Sequence, residues 1–221
     1  MKARVVEFFA GCGGTSLGFA MADKRIVDYQ VVGGVELDPH AAATFERALG
    51  VPLHVGDLRA LLDPEVLREV SRPWAGPGPL VLVGCAPCQG FSSHRKKDER
   101  VDDRNTLLEA FAEIAVMLDP EVIVMENVPE MLSSKHWPHF LEWRRILEDA
   151  GYHVKIAIHN LAEFGVPQER FRALVIASKW EHFEMPEPRL KHSAKLVTVR
   201  DAIGHLPPLS AGESDDNDPM H

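Results

Sequence analysis

The stretch VVEFFAGCGGTSLGF, residues 5 to 19, decides how the chain is read. Its opening aliphatic run lacks strict alternation, which fits a strand covered on both faces. The run breaks into Gly11, Gly13 and Gly14, which permit a tight turn and let a ligand approach the backbone closely. A helix beginning there offers unpaired N–H groups to an anionic group. A dinucleotide-binding turn requires a third glycine, where this chain has Ser16. That mismatch weakens the case for NAD or FAD, and a cofactor bearing a carboxylate in place of a pyrophosphate demands less of that position.

Similar aliphatic runs recur outward from this turn: VVGGVEL from 31, VPLHVGD from 51, LVLVG from 80, EVIVMENV from 121, HVKIAIHN from 153 and RALVIAS from 172. Between several of them lie segments with helical periodicity. Leu107, Leu108, Phe111, Ile114, Ala115 and Leu118 form one apolar stripe, and Phe140, Trp143 and Leu147 another, with Gly151 placed as a C-cap. Alternation of this kind predicts an α/β fold, a mostly parallel sheet with helices on both sides. The last two strands are separated by about ten residues, too few for a crossover helix, so one of them is expected to be antiparallel. The core domain is expected over 1–178. Residues 179–221 hold prolines, charges and one short helix candidate at 198–203, and read as an extended linker.

Acids stand at further strand ends. Glu36 lies 23 residues after Gly13, where a carboxylate is placed to take both ribose hydroxyls. Leu37 beside it is placed to cover an adenine face, and Asp57 to accept a proton from the adenine amine. Each alone reads equally as a helix cap or a solvated acid. Together, at the ends of successive strands, they favour a ligand containing adenosine.

LVLVGCAPCQGFSSH, residues 80 to 94, concentrates two of the chain's three cysteines. Cys85-Ala-Pro-Cys88 has the spacing of a redox dithiol. The nucleotide-like site at the same sheet edge argues against that. A metal site would need a second ligand pair, and no histidine stands at a familiar spacing, so no metal is expected. A lone nucleophile is the remaining reading. A thiol is only a few per cent ionised at neutral pH yet is intrinsically very nucleophilic. Cys88 follows a proline that stiffens its turn, while Cys85 sits nearer the strand as a small buried residue. MENVPE places Glu126 and Asn127 at the next strand end, and FGVPQERFR places Gln168, Arg170 and Arg172 ahead of the last strand. A salt bridge between Glu126 and one of those arginines is the structural alternative.

The formal charge of −9 argues against attraction to phosphate over the whole surface. A local basic face is still compatible with RKKDERVDDR, residues 95 to 104, which holds five basic and four acidic side chains. No apolar run is long enough for a membrane span. The start lacks a signal-peptide pattern, and three cysteines do not make a disulfide framework, so a cytoplasmic setting is expected.

These residues resemble the DNA (cytosine-5)-methyltransferases. FAGCGGTSLGF looks like their first motif, PCQGFS their fourth, ENVPE their sixth and QERFR their eighth, in the family's order. RNTLLEAFAEIAVMLDP is similar to the fifth. The resemblance implies a Rossmann-like, S-adenosylmethionine-dependent fold with a seven-stranded sheet. It implies that Phe9, Gly11, Gly13 and Gly14 line the cofactor pocket with Glu36, Leu37 and Asp57. Cys88 would be the nucleophile, Glu126 would hold cytosine N3 and its amine, and Arg172 would meet O2. Gln89, Asn127, Gln168 and Arg170 would support the site.

The family often has Gly-Pro where Cys85-Ala86 stands here. Its target-recognition region and last two motifs have no counterpart in the 221 residues, so the resemblance implies an expectation that the fold is incomplete at its C-terminal element. The expected partners are therefore duplex DNA and a second protein chain that supplies those parts, in the manner of a split restriction-modification enzyme. An RNA cytosine methyltransferase and a non-catalytic regulatory or scaffold subunit are the alternatives.

Overall fold

The computed structural model describes residues 1–86, 106–133, 137–188, 190 and 195–213. The chain divides into two compact units, Met1–Ile158 with Ala173–Met185, and His159–Arg172 with Pro186–His221. The elements run β1 (Lys2–Phe8), α1 (Gly14–Ala20), β2 (Asp28–Glu36), α2 (Pro39–Leu49), β3 (His54–Val55), α3 (Pro64–Ser71) and β4 (Leu80–Gly84). There follow α4 (Thr106–Leu118), β5 (Val122–Asn127), α5 (Trp137–Asp149), β6 (His153–Asn160), β7 (Phe171–Ser178) and α6 (Val199–Ile203).

The sheet has the order β3-β2-β1-β4-β5-β7-β6. Strands β1, β2, β3, β4 and β5 pair in parallel, and β7 runs antiparallel to β5 with Asn127 opposite Ala173. The expected seven strands and the antiparallel member are both present. The expected strand around residue 54 is only two residues long.

Both faces of the central strands are covered, as the missing alternation predicted. Along β1, β4 and β5, Val6, Phe8, Leu80, Leu82, Ile123 and Met125 enter the larger core. Ala3, Val5, Val81 and Val83 point the other way, toward Phe19 of α1 and Tyr29. The helical stripes read from sequence deliver Phe111, Ile114, Phe140, Trp143 and Leu147, all with 0% exposure. Phe111 stands edge-on to Phe8 with centroids 5.8 Å apart and tilts against Trp143 at 6.2 Å, which ties α4 and α5 to β1.

Strand β2 needs its two glycines. The pairing with β1 slips between Val5 and Val6, so that Val6 faces Gly33 and Glu7 faces Gly34. A Cβ on Gly34 would lie 2.2 Å from the Glu7 carbonyl oxygen, and one on Gly33 would lie 2.2 Å from Trp74 Nε1. The backbones approach where no side chain fits.

Glu7 is a buried acid within β1, 2% exposed. The N-cap of α1 is Gly13, which has no side chain to offer. Glu7 Oε2 takes that role across the turn, accepting from Ser16 N at 3.0 Å and Ser16 Oγ at 2.5 Å. Burial raises its pKa above the ordinary carboxylate range, with the Ser16 and Thr15 hydrogen bonds opposing in part. A raised folded-state pKa gives stability that is complete below the unfolded glutamate range and is lost as pH rises through the folded value. Glu7→Gln, which keeps an acceptor oxygen and cannot ionise, should therefore gain on the parent in urea midpoint as pH is raised through that window. Parallel midpoint–pH curves for the two proteins would refute this.

In the second unit, Asn160 Oδ1 accepts from Ala162 N and Arg170 N, both at 3.2 Å, and Leu161 N donates to the Arg170 carbonyl at 2.8 Å. These bonds close the loop that leads into β7. Helix α6 opens on a capping box between Thr198 and Asp201.

Candidate functional site

The parallel strands β1, β2, β4 and β5 all end at one edge of the sheet, and the chemistry-bearing residues of the first unit collect there. A cavity of about 420 Å³ opens beside this edge, lined by Phe9, Val35, Glu36, Leu37, Gly56, Asp57, Leu58, Arg59, Cys85 and Leu107.

The turn after β1 contributes Phe9 to this wall. Phe9 is held at φ 56°, a left-handed conformation that costs a non-glycine residue about 1 kcal/mol or more. Its ring stands edge-on to Phe111, with centroids 6.3 Å apart. Gly11 and Gly13 also have positive φ, and a Cβ on Gly13 would lie 2.7 Å from the ring of buried Phe45. Gly14 opens α1.

Glu36, the last residue of β2, is fastened to that turn. Its Oε2 accepts from Gly11 N at 2.7 Å, and its Oε1 from Asp38 N at 2.9 Å. The carboxylate is thus aimed before any ligand arrives. Leu37 beside it is 68% exposed, an apolar side chain with one face open to the cavity mouth. Asp57 caps a 3-10 turn and pairs side-on with Arg59 at 2.6 Å. Arg59 holds its carboxyl below the usual range, the hydrogen bond to the guanidinium contributing most.

Cys85 follows β4 and forms another part of the wall. Its Sγ lies 3.6 Å from the Thr15 hydroxyl, and burial, with the charges of Glu126 and Glu7, pushes its pKa up to about 11. Cys85 is therefore a thiol at neutral pH. Glu126 is half-buried at the end of β5, close enough for its charge to act on that thiol. Asn127, 2% exposed, donates from Nδ2 to the Ala86 carbonyl at 3.1 Å and accepts from Val128 N at 2.8 Å. It thereby fixes the backbone two residues before Cys88. Cys88 and Gln89 themselves lie outside the described residues.

Gln168, Arg170 and Arg172 belong to the second unit. Gln168 and Arg170 are exposed, and Arg172 is half-buried with its Nη1 donating to the Phe171 carbonyl at 2.7 Å. Of the cofactor residues read from sequence, Phe9, Glu36, Leu37 and Asp57 share the cavity wall, and Gly11 is joined to it through Glu36.

Sequence reasoning missed Val35, Gly56, Leu58, Arg59 and Leu107 as wall residues, and it read Cys85, which also lines the wall, only as a small buried residue. Leu107 was legible only as part of a buried helical stripe, and nothing in the periodicity separates a cavity-facing first turn from the core. Arg59 follows Asp57 by two residues, a spacing that could have been read as a self-pairing turn.

The wall fits an adenosyl group. Two carboxylates match the hydroxyl and amine donors, apolar side chains match a purine face, and the volume lies in the range of small-molecule pockets. Among the described residues, no group of three or more His, Cys, Asp or Glu is placed to hold a metal ion. No helix among them is long and apolar enough to cross a membrane.

The chain is 34% identical to the Type II methyltransferase M1.HphI of Haemophilus parahaemolyticus, over 97% of this chain and 55% of that protein. It is 29% identical to the Type II methylase M.HgiDII of Herpetosiphon aurantiacus, over 100% of this chain and 59% of that one. Among solved structures, a protein described as a DNA modification methyltransferase encoded within an E. coli prophage superposes with a TM-score of 0.73 at 27% identity. That match covers 94% of this chain and 56% of the other. The S. pombe Dnmt2 methyltransferase shares the fold, with a TM-score of 0.61 at 19% identity over 83% of this chain and 52% of that one. The chain thus spans about half the length of the curated relatives it matches. The family model for C-5 cytosine-specific DNA methylases matches residues 3–217, and the chain belongs to that family.

Proposed function

We propose that this chain transfers a methyl group from S-adenosylmethionine to C5 of a cytosine flipped out of duplex DNA, through a covalent bond between Cys88 and C6. The observation that carries the reading is the cavity in which Glu36, fastened to the glycine turn, faces the same space as Asp57 and the end of the strand leading toward Cys88. Family membership supplies the reaction class.

Cytosine C5 is too weak a nucleophile to take a methyl group unaided. The Cys88 thiolate attacks C6, the 5,6 bond is saturated, and its electron pair passes to C5. Glu126 donates toward N3 as density builds there, and Arg172 stabilises charge at O2. Bound S-adenosylmethionine supplies an electrophilic methyl on a sulfonium, and S-adenosylhomocysteine is the product. A base then takes the C5 proton, and the thiolate leaves as the 5,6 bond re-forms. Glu36 holds the ribose hydroxyls, Asp57 the adenine amine, and Phe9 and Leu37 the apolar faces. The ring atoms are inaccessible inside a duplex, so the base must leave the stack.

The second protein chain expected from sequence is kept within this proposal, together with the reading of residues 179–221 as a linker toward a recognition region. The decisive experiment is transfer of labelled methyl from S-adenosylmethionine to duplex DNA, with tRNA as the competing acceptor. Label in C5 of DNA cytosine is expected, and label in tRNA alone would decide for the RNA reading. Specific methylation of DNA by a monodisperse monomer of this chain would remove the second polypeptide and leave the chemistry standing.

A further inference from the structure

The cavity wall carries one charged group that the proposed chemistry does not employ. Arg59 is the second residue of the 3-10 turn Leu58–Leu62, and it folds back on the acid that caps that turn. Asp57 Oδ1 accepts from Arg59 N at 2.9 Å and from Arg59 Nε at 3.0 Å. Asp57 Oδ2 accepts from Arg59 Nη2 at 2.6 Å and, more weakly, from Arg59 Nε at 3.2 Å. Three donors of one residue therefore fix the rotation of this carboxylate.

Side-chain exposures of 45% for Arg59 and 40% for Asp57 make the ion pair worth little to folding. Its effect is on geometry. An ionised carboxylate has about four acceptor directions. Arg59 N takes one direction on Oδ1, Nη2 takes one on Oδ2, and Nε is shared between the two oxygens, so the acceptor directions left to Asp57 are held in one orientation. Both residues line the cavity beside Glu36 and Gly56, so a ligand donor entering there meets an oriented anion.

We propose that Arg59 is a positioning residue for the nucleobase of the cofactor: it holds Asp57 so that one oxygen can accept a hydrogen bond from a 6-amino purine and repel a 6-oxo purine. The inference rests on the cofactor reading given above. With Arg59 removed, the carboxylate rotates and hydrates, and its preference between donor and acceptor edges weakens. A lysine at 59 keeps the charge but has no planar fork to grip both oxygens.

The test is calorimetric binding of S-adenosylhomocysteine and S-inosylhomocysteine to the full chain and to its Arg59→Ala and Arg59→Lys variants. The parent should prefer the adenosyl ligand by about 30-fold, a typical range for hydrogen bonding to a charged group. Arg59→Ala should weaken the adenosyl ligand about tenfold while shifting the inosyl ligand less than about twofold, so that the preference collapses. Arg59→Lys should fall between.

Equal weakening of both ligands in the two variants would show a merely structural role and overturn the proposal, as would an unchanged preference. A parent that binds both ligands equally would overturn it while leaving the cofactor reading intact. A parent that binds neither ligand would overturn both. If Arg59→Ala does not fold, the ligand preference of Arg59→Lys decides alone.

Discussion

Cys88→Ala is expected to lower methyl transfer to cytosine by about four to six orders of magnitude in any preparation that methylates DNA. The reason is chemical. Without addition at C6, the ring has no way to load electron density onto C5, and no neighbouring group replaces that step. Cys85 is no substitute, because burial and two nearby acids keep its sulfur protonated at neutral pH. The cavity wall is built from the end of β2, the turns after β1, β2 and β3, Cys85 and Leu107 of α4, so binding of S-adenosylhomocysteine to Cys88→Ala should stay within about twofold of the parent. Two readouts check this: labelled methyl on cytosine, and a stable adduct with DNA containing 5-fluorocytosine, formed by the parent and absent from the variant. Retention of more than about a hundredth of the parent rate would sink the covalent mechanism and leave the scaffold or a different nucleophile to be considered.

Gly34→Ala is expected to be the most damaging small substitution in the fold, destabilising by about 3 kcal/mol or more. Its Cβ would lie 2.2 Å from a carbonyl oxygen of β1 and 3.1 Å from the Leu53 side chain. A side chain can rotate away from such a contact, but a backbone carbonyl in the middle of a sheet cannot do so without losing its own pairing. The displaced stretch leads straight to Glu36, so cofactor affinity should fall with stability. Gly18→Ala is the control. It lies within α1 with nothing within 4 Å of its added Cβ, and should be neutral or stabilising by up to about 1 kcal/mol. Urea midpoints of the three proteins check this. Similar midpoints for Gly34→Ala and the parent would mean that the two strands separate more easily than their register suggests.

Much of the sheet was legible because strand, glycine turn and helix are punctuated by residue type. The ten-residue gap before RALVIAS was enough to predict the antiparallel member, since a crossover helix does not fit in it. The stripes were legible because Leu107, Phe111, Ile114 and Leu118 in α4, and Phe140, Trp143 and Leu147 in α5, recur at steps of three and four residues. Polar contacts made across the sheet were not. Glu7 reads as one more acid near a strand end, and only the fold shows that it reaches Ser16 to cap α1. The Asn127 bond to the Ala86 carbonyl joins residues 41 apart, and no local pattern records such a pairing. Arg59 escaped for the opposite reason: its partner is so near that it resembles an ordinary surface turn.

The double grip on Glu36 has a thermodynamic consequence. Its oxygens already have backbone partners, so a ligand meets an anion whose rotameric freedom has been surrendered during folding, and docking entails little further ordering there. The same residue is thereby indebted to two masters. Shortening it to aspartate, or turning one oxygen into an amide, unsettles the empty protein as well as its complex, so calorimetric melting of the ligand-free chain should already register a change at this position.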